Sequence, residues 1–162
     1  MKKLVTILLA GLMCGTILAG CGSDKDPEQV LAGYSDSKSY SDGDDDSSTK
    51  QEFSKYIYDS SFDSKFENDN NYTKVTSKNK SEIKEYFDNF QIWGGASSFS
   101  DNYDFKTDMI TDGDYYCIAD KDVFTDIAGQ RKALKVFKEY SIYYYDTETH
   151  VLYYIHNDMS LS

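Results

Sequence analysis

The residue types best suited to nucleophilic or metal chemistry are scarce in this 162-residue chain: three cysteines, Cys14, Cys21 and Cys117, and two histidines, His150 and His156. A thiol or hydroxyl becomes a useful nucleophile beside a base, and a structural zinc needs about four converging ligands. Sequence places neither histidine beside Cys117, which stands in a β-rich run and reads as a small strand residue. HExxH, GxSxG and phosphate-loop spacings are all missing. Asp42, Asp44 and Asp46 repeat the 1-3-5 spacing of a calcium loop. The sixth position is Ser47 instead of glycine and the last acidic position falls one residue early, at Glu52, so the run reads as solvated charge. Aspartates and glutamates total 28, yet no two stand out as the facing carboxylates of a hydrolase. The sequence therefore assigns no catalytic residue, no metal and no cofactor.

The first twenty residues, "MKKLVTILLAGLMCGTILAG", carry two lysines, then an uncharged apolar run, then small residues. This is the pattern of a secretory signal, with an apolar stretch too short for a membrane span. It ends in Leu18-Ala19-Gly20-Cys21, which resembles the lipobox of bacterial lipoproteins, a match confined to this N-terminal segment. The resemblance implies cleavage after Gly20, a diacylglyceryl group on the Cys21 thiol, and Cys21 as the mature N-terminus. Two acyl chains, at about 0.8 kcal/mol per buried CH₂, give stable anchoring where one would be marginal. The expected location is thus the extracytoplasmic face of a membrane, with the lipid on Cys21 as the membrane contact. Cys14 then leaves with the signal, and Cys117 alone remains in the folded part, too few for an internal disulfide.

Loss of residues 1–20 removes two lysines and moves the formal charge from −11 to −13. Nucleic acid is excluded as a partner, because phosphate contacts need clustered basic residues, and here the lysines are dispersed among carboxylates around a single arginine, Arg131. Residues 22–51 hold seven Asp and seven Ser and hardly an aliphatic residue after Leu31. Such a segment buries too little apolar surface to offset ordering entropy, so residues 21–51 are expected to be the lipidated end and a disordered tether with an r.m.s. reach of roughly 30 Å. Residues 52–162 are one domain's worth of chain.

Any site in that domain must be positioned by few elements. In "SKNKSEIKEYFDNFQIW", Ile83, Tyr86, Phe87 and Phe90 fall on one helical face, with Ser77 or Asn79 available as a cap. Asp112-Gly113 between two β-rich runs signals a hairpin opposing Met109 to Tyr116 and Thr107 to Ile118. Residues 121–132 read either as a short helix or as an ordered loop. The stretch "YSIYYYDTETHVLYYIHN" signals a second hairpin, closed by a four-residue loop that sets Asp146 opposite Val151 and gives His150 the left-handed position. The sum is an α+β domain, a small four-stranded antiparallel sheet with one amphipathic helix packed on one face, and residues 53–58 as a candidate fifth strand.

One helix covers one face of a sheet. The more aliphatic face, with Ile142 and Ile155, is expected to be the core, and Tyr143, Tyr145 and Tyr154 are expected on the wet face, where three rings present on the order of 300 Å². With Trp93 at the helix end, these are the candidate contacts for an extracytoplasmic protein or glycan. The chain is expected to be a monomeric, membrane-anchored binding module. Two alternatives stay open: a cell-envelope hydrolase using carboxylates, and an inhibitor or immunity-type lipoprotein that binds a basic protein.

Overall fold

In the computed structural model the described residues are 26–43, 49–94, 97–126 and 134–159. They form an α+β domain built on one antiparallel sheet of six strands, ordered β1-β2-β6-β5-β4-β3. The strands are β1 (Asp36–Asp42), β2 (Lys50–Ile57), β3 (Thr73–Lys74), β4 (Tyr115–Asp126), β5 (Leu134–Asp146) and β6 (Val151–Asp158); the helices are α1 (Asp63–Asn68) and α2 (Lys80–Gly94).

The last hairpin has the expected register. Asp146 faces Val151, Tyr145 faces Leu152, Tyr144 faces Tyr153, Tyr143 faces Tyr154 and Ile142 faces Ile155. Its turn is held by the Asp146 carboxylate, which accepts from the Glu148 and Thr149 amides and from the Thr149 hydroxyl. His150 takes the left-handed conformation, φ 57°, which a histidine tolerates better than most side chains.

Helix α2 buries the predicted Ile83, Tyr86, Phe87 and Phe90 against Phe53, Ile142, Tyr144, Tyr153 and Ile155. Phe87 stacks on Phe105 with centroids 4.0 Å apart. Asn79 does not reach forward into the helix: its side chain turns back, accepting from the Thr76 amide and donating to the Lys74 carbonyl.

Three expectations are corrected. The sheet has six strands rather than four or five. The Asp112-Gly113 turn does not close a hairpin onto residues 105–110, where Thr107–Met109 is a 3₁₀ turn. The Val75 and Gly113 amides instead exchange hydrogen bonds with the Asp114 and Val75 carbonyls, so β3 takes the place beside the start of β4. Residues 121–126, read as helix or loop, continue β4 as a strand past a β-bulge beyond Ala119. Beyond the reach of β6, β4 and β5 run on as a two-stranded ribbon, which Lys135 ties to α2 through Glu85 at 3.0 Å.

A further correction concerns residues 26–43, part of the segment 21–51 expected as a tether: these described residues lie along the sheet. Residues 36–42 are edge strand β1, paired with β2 throughout, and Tyr40 packs into the α2-side core. Val30, Leu31 and Tyr34 cover the opposite face of the sheet. Composition misleads here because a few well-spaced apolar groups suffice when the rest of the chain supplies the surface they close.

Gly33 lets this covering segment turn. Its φ is +111°, and a Cβ there would lie 2.8 Å from Phe62 Cζ. Gly33→Ala should therefore lower stability by about 2–4 kcal/mol in urea unfolding, from strain and overpacking together. Gly113, φ +108° with open space around it, should cost only the conformational share, about 1 kcal/mol. Equal midpoint shifts for the two variants would refute the close approach to Phe62.

Candidate functional site

The face away from α2 is divided along the strands. One half is a second core, in which Leu152 is joined by Tyr56, Tyr58, Phe62, Phe66, Tyr72, Tyr115, Tyr143, Tyr145 and Tyr154. Its roof is residues 26–34 and the stretch from the 3₁₀ turn Ser60–Phe62 through α1 to Tyr72. Tyrosine suits a core this thin, because the ring spans it and the hydroxyl reaches a partner at its edge. Tyr58 and Tyr72 donate to the Leu31 and Gln29 carbonyls at 2.7 and 2.8 Å, and Tyr34 donates to Asp26 at 2.9 Å. Burial pushes the Tyr58 and Tyr72 hydroxyls far above the usual phenol range, so they stay protonated donors. Phe66 stacks on Tyr145 at 3.8 Å between centroids.

Tyr143, Tyr145 and Tyr154, expected to face water, are thus 3, 0 and 6% exposed. Their rings fill the second core and offer no aromatic platform. Trp93 lies near the end of α2, with its side chain outside those described. Cys117 pairs with Tyr143 across the β4–β5 ladder and packs beside the second core, the small strand residue it was read to be. Cys21, Asp44 and Asp46 lie outside the described residues. Among the described residues no three His, Cys, Asp or Glu side chains are grouped to hold a metal ion.

The other half of this face is polar and lies beyond the roof. Strand register lines up one row across four strands: Ser41 opposite Glu52, Glu52 opposite His156, and His156 opposite Ser141. Directly opposed side chains have Cβ atoms about 4.5–5.5 Å apart. The Ser141 Oγ and His156 Nδ1 are 3.0 Å apart. Glu52 accepts from the Tyr154 hydroxyl at 3.3 Å and pairs with Lys50 at 3.0 Å. In the next row Ser54 donates to Ser39 at 2.9 Å.

A hydroxyl, an imidazole and a carboxylate in one row are the parts of a nucleophilic relay. The setting does not complete one. Ser141 is 2% exposed, and it lies on a strand flanked on both sides, whose amides are engaged in two ladders rather than free to hold an oxyanion. Ser141 instead fixes the imidazole, and the row presents hydrogen-bonding groups: Ser39 and Ser41 in the open, Glu52 and His156 half-buried.

Two further polar clusters brace the domain. At the turn before β6, Tyr145 donates to Asp63 at 2.6 Å, and His150 Nδ1 lies 3.1 Å from the same oxygen, which joins α1 to the hairpin. Under the α2-side core, Asp114 is 1% exposed. Its carboxylate accepts from the Thr111 amide and hydroxyl, the Thr147 amide and hydroxyl, and the Tyr144 hydroxyl. Burial works to raise its pKa, but the donors from Tyr144, Thr147 and Thr111 prevail and hold it below the usual carboxylate range.

Half of the polar row is legible in the hairpin sequence. The register that sets Asp146 opposite Val151 necessarily sets Ser141 opposite His156. Glu52 could not be added from sequence, because the pairing of β2 with β6 joins segments about a hundred residues apart. No family model, curated protein or solved structure matches the chain.

Proposed function

We propose that the protein is a membrane-anchored extracytoplasmic binding module, held by lipid on Cys21, that contacts an envelope protein or glycan through its polar sheet row. The observation that carries this reading is the row of Ser41, Glu52 and His156, with buried Ser141 fixing the imidazole. The Leu18-Ala19-Gly20-Cys21 motif supports the anchor. The excess of carboxylates favours a partner with basic groups, drawn in by electrostatic steering.

The anchor is tested by substitution. The wild-type protein should incorporate labelled palmitate and sediment with membranes, whereas Cys21→Ser should remain an unlabelled precursor or be released. A labelled, mature-sized Cys21→Ser protein would refute it. The binding surface is tested by cross-linking in intact cells: Glu52→Ala with His156→Ala should lose adducts that the wild type forms, while thermal unfolding stays cooperative. An unaltered adduct pattern would move the contact elsewhere.

A further inference from the structure

We infer that the lipid fixes which end of the domain faces the membrane, so that the polar row and the β4–β5 ribbon are presented away from the bilayer. This rests on the proposed lipidation of Cys21.

Five peptide steps separate Cys21 from Asp26, and even fully extended they span at most about 18 Å. Asp26 is tied to this end of the domain, since it accepts from Tyr34, whose ring lies 5.0 Å from that of Tyr56 near the end of β2. The same end of the sheet carries the stretch between β2 and β3 and the turn at residues 147–150. The start of β2 and the end of β6 are at the other end, where Lys50 faces Asp158. At about 3.3 Å per residue, β2 and β6 alone separate the two ends by roughly 23 Å, and β5 from Asp146 to Leu134 by roughly 40 Å. An inverted domain, ribbon toward the lipid, would hold Asp26 farther from the bilayer than the linker can reach.

Attraction to lipid does not set this orientation. The near end carries Asp59, Asp63, Glu67, Asp69 and Glu148 around Lys65 and Lys74, so an anionic bilayer still repels it within a Debye length of about 8 Å. The short linker and the repulsion act together, keeping the near end close to the surface and discouraging the domain from lying flat. Ser41, Glu52 and His156, together with the ribbon, then meet whatever approaches from the envelope side.

The full lipidated protein, carrying Cys117→Ser and a donor fluorophore at either Glu67→Cys or Ser41→Cys, is reconstituted into phosphatidylcholine vesicles with acceptor-labelled headgroups. Energy transfer should be about twofold or more higher from position 67 than from 41, given roughly 17 Å along the sheet between the row of Ser41 and the end of β2 at Ile57. Inserting about twenty Gly/Ser residues after Ser23 should largely erase the difference. Vesicle-bound protein with equal transfer from both positions overturns the orientation while leaving lipidation intact. Protein that fails to bind vesicles, or Cys21→Ser protein that binds as well as wild type, overturns the lipid anchor and the orientation with it.

Discussion

Asp114→Ala is expected to destabilise the domain by about 3–5 kcal/mol, because it removes the one buried acceptor that ties the Thr111 and Thr147 turns and Tyr144 together and leaves part-buried donors of both threonines without that partner. The Thr111 and Thr147 amides and the two threonine hydroxyls converge on this one carboxylate, and the Tyr144 hydroxyl joins them. At roughly 2–4 °C per kcal/mol for a domain of this size, Tm should fall by about 6–20 °C. A loss under about 1 kcal/mol in urea or thermal unfolding would show that water can replace these bonds. The pH dependence follows from the direction of the shift. The folded carboxyl is held below its unfolded value of about 3.9, so its contribution is fully present above that pH and is lost as pH falls through the lower folded pKa. Asp114→Asn should accordingly be less stable at neutral pH and show a shallower loss of stability toward acid than the wild type.

Removal of residues 26–34 is the second large effect. Were this segment a tether, deletion would change stability by less than about 0.5 kcal/mol. As a roof, it supplies Val30, Leu31 and Tyr34 to the second core and the carbonyls that receive Tyr58 and Tyr72. Lost apolar cover and two orphaned hydroxyls together should cost about 3–5 kcal/mol. The shortened domain should also become susceptible to limited proteolysis after Tyr58 and Tyr72. Unchanged urea midpoints for the chain beginning at Ser35 would return the segment to the status of a linker.

How much of this was legible in the sequence depended on how local the cause was. The β5–β6 register, the turn carboxylate Asp146 and the left-handed His150 all follow from eighteen adjacent residues, and each was readable. The buried face of α2 was readable for the same reason. The Asp112-Gly113 turn misled because its sequence signal was real while its partner strand was not the preceding one: Asp114 anchors Thr111 and Tyr144, and residues 73–75 take the ladder beside β4. The roof was missed because Val30, Leu31 and Tyr34 gain their burial from Tyr58, Phe62, Phe66 and Tyr72, none of which composition of the first fifty residues could announce. Tyr143, Tyr145 and Tyr154 were placed on the correct face, yet their exposure depended on that roof. The polar row was half visible, through Ser141 and His156, and was completed only by the long-range pairing of β2.

The position of β6 also constrains the order in which the molecule can form. The strand nearest the end of the described chain lies inside the sheet, between β2 and β5. Until Val151–Asp158 is available, the β1–β2 ribbon and the β4–β5 ribbon have no common neighbour, and neither core has both of its walls. Such non-local pairing makes sheet closure late and slow relative to chains built from local contacts. For a polypeptide delivered across a membrane from its N-terminus, the roof would be first across and yet would settle among the last parts, as the lid on a sheet that the β5–β6 hairpin completes.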